Sequence, residues 1–175
     1  MKFSLEQAGE ILARTPATLK ALLTGLPEPW LINNEGGQTW SPFDVVGHLI
    51  HGERTDWIPR LKTILEHGEA RPFTPFDRFA QFEASRGKSL QELLDTFAAL
   101  RRQNLATLQE LNLRAEQFKL KGTHPDFGPV TVEQLLATGV VHDLDHLGQI
   151  ARVMAKQYKA EVGPWINYLS ILMSR

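Results

Sequence analysis

Two histidines four residues apart, His142 and His146, stand in the segment Val140-Val141-His142-Asp143-Leu144-Asp145-His146-Leu147-Gly148-Gln149-Ile150. On a helix that spacing puts both imidazoles on one face, one turn apart, where they can grip the same metal ion. A third histidine, His48, lies far upstream in Asp44-Val45-Val46-Gly47-His48-Leu49-Ile50-His51-Gly52-Glu53. Three neutral imidazoles that leave one coordination position exchangeable make a divalent site of catalytic type, and zinc and nickel both suit nitrogen ligands. Ordinary core or surface histidines are the alternative reading, because spacing alone does not show that the two segments meet.

The chain contains no cysteine, which removes disulfides, thiolate ligands and a cysteine nucleophile together. Any metal must be held by nitrogen and oxygen, and any thiol used in a reaction must come from outside. With 175 residues the chain has the size of one domain, expected to span residues 1–175. A composition of 42% apolar and 22% charged residues with a formal net charge of -1 gives no electrostatic reason to expect nucleic acid or an anionic membrane. A small-molecule partner is the remaining expectation. The segment Met1–Glu10 lacks the apolar stretch of a signal peptide, and nothing later reaches the ~18 apolar residues of a membrane span, so a cytoplasmic location is expected.

Four long segments carry helical periodicity between stretches rich in proline and glycine, which reads as an up-and-down helical protein. The first runs from about Leu5 to Leu23, with a break or kink expected at Thr15-Pro16. Ser41-Pro42-Phe43-Asp44 supplies a capping serine, a first-turn proline and an acid three residues after the cap, so a second helix starts at Pro42. Its apolar positions continue through Leu65, Pro59 can bend it, and Gly68 can stop it. Residues 71–87 carry Pro72, Pro75 and four phenylalanines, an irregular crossing over one end of the bundle. Ser89 and Glu92 open a third helix. The turn-like His124–Pro129 leads to Thr131 and Gln134, which open a fourth helix reaching about Gln157. A last short helix, Pro164–Met173, is expected to pack back through Trp165, Tyr168 and Leu172.

On the fourth helix the row Leu135, Gly139, His142, His146, Ile150 and Val153 has apolar ends and a histidine centre, and should face the core. An unpaired polar group in an apolar interior costs roughly 1–3 kcal/mol, and a shared metal ion would satisfy two imidazoles at once. Gly52 and Gly139 each lie near a proposed ligand, either keeping space beside it or permitting close helix packing. His51 sits at the wrong angle to join His48 and is assigned to a supporting or solvent position. Glu53 and Asp56 can orient a ligand or accept a proton, with a solvated helix face as the plainer reading. Asp143 and Asp145 point away from the histidine row, toward ion pairing or capping. His124 lines the pocket mouth or builds a turn. The phenylalanines from Phe73 to Phe82 read as core or interface, with an aromatic lid as the alternative.

These residues together resemble the DinB-like superfamily, four-helix-bundle proteins in which a histidine of the second helix and a His-x-x-x-His pair of the last bundle helix bind a divalent metal. The likeness is carried by Trp40-Ser41-Pro42-Phe43-Asp44-Val45-Val46-Gly47-His48-Leu49, by Glu53 and Trp57, and by Val132–Ile150, with Thr15-Pro16 before and Gly163-Pro164-Trp165 after. It implies an all-α, up-down four-helix bundle with a short extra C-terminal helix, and His48, His142 and His146 as ligands of one divalent ion. It also implies an activity among thiol transfer, thiol-dependent isomerisation of the maleylpyruvate type, and hydrolysis. The expectation is a metal-dependent small-molecule enzyme, a transferase of the thiol-dependent type or a hydrolase, served by zinc or nickel and, in the transferase case, by an external low-molecular-weight thiol. The rivals are a non-catalytic metal- or ligand-binding, stress-related bundle, and a metal-free bundle whose role is homodimerisation.

Overall fold

Ser41, Ser89 and Thr131 each accept from the backbone N–H three residues on, while Asp44, Glu92 and Gln134 reach back to the capping residue's own N–H. These reciprocal caps satisfy donors that a helix start leaves orphaned, and they fix where three helices begin. In the computed structural model, which describes residues 1–173, the helices are α1 (Leu5–Leu23), α2 (Glu28–Ile32), α3 (Pro42–Thr55), α4 (Trp57–His67), α5 (Ala80–Ser85), α6 (Leu90–Glu110) and α7 (Val132–Lys156). The fold is all-α, a four-helix bundle: α1 and α3 each pack on both α6 and α7, and α4 continues α3 along α7. No helix among the described residues is long and apolar enough to cross a membrane.

Two apolar clusters fill the bundle, one around Leu19, Leu49, Phe97 and Ile150, the other around Leu61, Ile64, Leu108 and Leu136. Between them along α3, α6 and α7 stand Glu53, Arg101 and Asp143, all buried. A charged layer thus interrupts an otherwise apolar core at one level of three helices.

The structure corrects the element boundaries in several places, among them α5 (Ala80–Ser85), a helix inside the crossing expected to be irregular. The break expected at Thr15-Pro16 does not occur, and α1 runs unbroken through Pro16. Proline has no N–H to offer the carbonyl four residues back. That carbonyl, Leu12 O, accepts from Arg101 Nη1 at 2.8 Å instead, so the helix continues without an orphaned acceptor. The second predicted helix is two, separated at Asp56, whose backbone (φ -108°, ψ -75°) leaves the helical path. Pro59 crowds the carbonyl of Thr55, and the Glu53 carbonyl accepts from Asn104 Nδ2 at 2.8 Å.

The turn-like segment is the loop of a two-stranded antiparallel hairpin, β1 (Lys121–His124) and β2 (Gly128–Thr131), with His124 paired to Gly128. Gly128 (φ +71°) supplies the left-handed residue that a three-residue hairpin loop requires. A side chain at Gly122 would meet Ile64 Cγ1 at 2.6 Å and Phe73 Cε1 at 2.9 Å, so the hairpin lies directly on α4 and on the crossing. Phe73 N donates to Thr123 O at 2.9 Å, which ties the phenylalanine-rich segment to β1. The C-terminal segment forms 3₁₀ turns at Gly163–Tyr168 and Ser170–Leu172, not one helix. Leu172 is buried as expected, whereas Trp165 and Tyr168 are exposed.

Candidate metal centre

His48 lies in the middle of α3, and His142 and His146 lie one turn apart on α7, whose row Leu135, Gly139, His146, Ile150 and Val153 is buried. The packing of α3 on α7 brings the two segments together. His142 Nε2 stands 3.1 Å from His48 Nε2 and 3.1 Å from His146 Nε2. Each of the three residues offers one nitrogen, and those nitrogens lie within 4.8 Å of one another. The histidine pair and its distant third partner are therefore one cluster.

The protonation states follow from the surroundings. Burial, reinforced by the charges that His146 and His142 would carry, pushes His48 down to about 3. Burial and His146 push His142 down to about 4, and burial also lowers His146 despite its hydrogen bond to Gln149. All three rings are thus neutral near pH 7. His146 Nδ1 donates to Gln149 Oε1 at 2.7 Å, which puts its proton on that side and leaves Nε2 as a bare acceptor. His48 Nδ1 and His142 Nδ1 are buried without a hydrogen-bond partner.

Three neutral imidazoles crowded at Nε2 cannot all be satisfied by one another, since His142 Nε2 has at most one proton to share between two neighbours. A cation between them converts this crowding into coordination. Nitrogen ligands ~2.0–2.1 Å from a tetrahedral ion stand about 3.3–3.4 Å apart, close to the observed 3.1 Å. The donor set therefore fits a divalent metal of the nitrogen-preferring kind. Among the described residues no carboxylate joins the cluster, and Glu53 and Asp143 are held by Arg101 and Asp56 by Arg60.

Aromatic rings fix the imidazoles. Trp40 lies 4.8 Å from the His48 ring and is stacked at 6.4 Å on His146. Trp57 meets His142 edge-on at 5.1 Å, and Phe76 meets His48 edge-on at 5.3 Å. Gly52 and Gly139 both face Trp57: a Cβ would stand 3.4 Å from Trp57 Nε1 at the first and 3.6 Å from Trp57 Cε3 at the second. Both distances are ordinary van der Waals contacts, so Trp57 borders the two glycines without packing so closely that it demands them.

The remaining residues singled out in the sequence fall into place around the cluster. His51 packs on Phe76 at 4.8 Å and stays outside it. Glu53 and Asp56, for which a solvated face was the plainer reading, are both buried. Glu53 accepts from Arg101 Nε at 3.1 Å and Nη2 at 2.8 Å, and from Asn104 Nδ2 at 2.9 Å. Asp143 closes the other side of the same guanidinium at 2.5 and 2.9 Å, while Asp145 is exposed. Burial raises the Asp56 carboxyl, against the opposing influence of its ion pair with Arg60. His124 does both things expected of it: its Nδ1 accepts from Asp126 N at 3.1 Å within the hairpin loop, and its ring borders the cleft over the histidines. The crossing divides, with Phe73 in the core and Phe76 and Phe79 on the cleft wall.

That cleft encloses about 800 Å³ and has His48, His142 and His146 in its lining, within the size range of small-molecule sites. Sequence reasoning passed over Arg101, Gln149, Arg60 and the Glu35–Arg152 pair. Arg101 carried a readable signal, being a charged residue one turn after Phe97 and two turns before Leu108 in an apolar row. Gln149 stands three residues after His146, the spacing of a helix neighbour.

A bundle whose second long helix and last long helix bring three neutral imidazoles to one point, at the floor of a small-molecule-sized cleft, defines a class of helical protein equipped to hold a metal. The chain belongs to the DinB superfamily, which matches it over residues 11–150. It is also similar in structure to YfiT from Bacillus subtilis, described as a probable metal-dependent hydrolase with an unusual four-helix bundle topology. That likeness has a TM-score of 0.75 and 25% sequence identity, and covers 89% of this chain and 90% of YfiT. No curated protein matches the chain.

Proposed function

We propose that the protein is a metal-dependent enzyme acting on a small molecule by hydrolysis or by group transfer to a thiol, with His48, His142 and His146 holding one divalent ion, zinc or nickel. The observation that carries this reading is the convergence of three neutral Nε2 atoms, 3.1 Å apart in two of their pairings, beneath a cleft of about 800 Å³. The description of YfiT as a probable metal-dependent hydrolase supports the metal-dependent, hydrolytic side of this reading. When bound, such an ion supplies Lewis acidity and acidifies a water or thiol at its exchangeable position. A thiol in this role is an external one, because the chain has no cysteine.

The protein's own residues do the rest. Trp40, Trp57 and Phe76 pack against the three rings and hold them in place. Gln149 fixes the His146 proton on Nδ1, so that Nε2 keeps its lone pair. Replacing Gln149 with leucine removes that acceptor while keeping the volume, and is expected to weaken metal affinity by roughly 10–100-fold. Competition against a chelating indicator reads this directly, and an unchanged affinity would remove Gln149 from the site.

The reading is tested by metal analysis of protein purified without an affinity tag, followed by a panel of esters, amides and electrophiles with and without a small thiol. Stoichiometric zinc or nickel is expected, with turnover that disappears on chelation and returns with metal. Protein that takes up no transition metal even on reconstitution overturns the proposal. Stoichiometric metal without any metal-dependent turnover leaves a binding protein and removes the catalytic half.

A further inference from the structure

The cleft carries a charge pattern that narrows what it can take. Each carboxylate set into its wall already has a cation: Glu35 accepts from Arg152 Nε at 2.9 Å and lies 2.9 Å from Lys156 Nζ, and Asp56 is paired with Arg60. Asp126 is at the hairpin tip with its side chain 79% exposed, 4.0 Å from His124. Arg78, on the crossing, also lines the cleft, and among the described residues no ion pair or hydrogen bond involves its guanidinium. Its neighbour Asp77 is turned to its own loop, where Oδ1 accepts from Phe79 N at 2.9 Å. Around Arg78 the wall is aromatic: Trp40 and Phe76 lie against the histidines, and Phe79 and Phe127 stand 61% and 77% exposed at the rim. Phe127 is stacked on His124 at 4.4 Å, which braces it from behind.

An exposed aromatic rim loses hydration only when something apolar covers it, and a guanidinium without a counter-ion recognises a planar, two-oxygen anion best. Resting on the proposed function for the neighbouring histidines, whose ion would add positive charge with no carboxylate to offset it, both features call for one kind of ligand. We propose that the cleft selects a small organic acid, with Arg78 engaging its carboxylate and Trp40, Phe76, Phe79 and Phe127 covering a flat apolar body. Arg78 is then a specificity-determining residue of the site, outside the histidine cluster.

The test uses 3-phenylpropionate, its neutral amide and acetate as probes of the full chain, by calorimetric titration before and after zinc loading, with zinc content measured on the same samples. Phenylpropionate is expected to bind at least tenfold more tightly than either the amide or acetate, the scale of a charge-assisted hydrogen-bonded pair. Arg78→Gln, a change at an exposed position, should abolish the preference for acid over amide and leave zinc content unchanged. Phe79→Ala should weaken phenylpropionate and not acetate. Equal binding of acid and amide, or an acid preference untouched by Arg78→Gln, overturns the proposal. The two readings fail separately: a protein that takes up no zinc but keeps an Arg78-dependent acid preference loses its metal function and keeps this site, and a zinc-loaded protein without that preference does the reverse.

Discussion

Replacing Arg101 with methionine is expected to lower the stability of the fold by roughly 3–5 kcal/mol, the cost of leaving buried charges without their partner. The guanidinium is 3% exposed and holds Glu53 on α3, Asp143 on α7 and the Leu12 carbonyl of α1, from its own place on α6. Burial opposes its charge, yet Asp143 and Glu53 hold its pKa above the ordinary value. Without it, two carboxylates at 4% and 0% exposure face an apolar interior, and the carbonyl released by Pro16 loses its donor. For a chain of this size the loss corresponds to about 6–20 °C in Tm. Arg101→Lys should recover only part of it, because an ammonium cannot span both carboxylates with a planar fork. Adding Glu53→Gln and Asp143→Asn to the methionine variant should recover more, since no uncompensated charge then remains. Denaturant unfolding of the variants checks the order, and an Arg101→Met protein as stable as the parent would show that the network does not hold the helices together in solution.

The same network shows what a sequence exposes and what it conceals. The helix starts at Ser41, Ser89 and Thr131 were legible because a capping box is a local device, complete within four residues. The histidine cluster was legible in half, since the spacing of His142 and His146 is intrinsic to a helix while the approach of His48 depends on how α3 meets α7. Arg101 went unread for the same reason: its partners Glu53 and Asp143 lie 48 and 42 residues away, and only the packing makes them a unit. Pro16 read as a break because Thr15 can cap and Pro16 can open a new helical stretch, whereas in the fold the acceptor that Pro16 frees finds a distant donor in Arg101. The hairpin was missed because its strands are only four residues long and contain Gly122, Gly128 and Pro129, residue types depleted in strands. Trp165 and Tyr168 were placed inward on hydrophobicity alone, and the structure leaves both in solvent.

The second large effect is expected at the histidines. A metal that binds only the native state raises stability by RT ln(1 + [metal]/Kd), about 2.7 kcal/mol when the metal is at 100 times its Kd. His48→Ala, His142→Ala and His146→Ala should each lose nearly all of that gain, because two nitrogens remain where three converge. The loss in metal affinity should exceed the roughly 10–100-fold expected for a supporting residue such as Gln149. His51→Ala supplies the contrast, since His51 rests on Phe76 and reaches no member of the cluster. In metal-free protein the order should compress: each ligand substitution removes an imidazole whose Nε2 is crowded by another's at 3.1 Å, so part of the packing loss is offset. The signature is therefore a metal-dependent difference in Tm between parent and variant, measured on untagged protein across a zinc titration. A zinc-induced rise that survives all three ligand substitutions would place the metal elsewhere, and one that vanishes in His51→Ala would require a different ligand set.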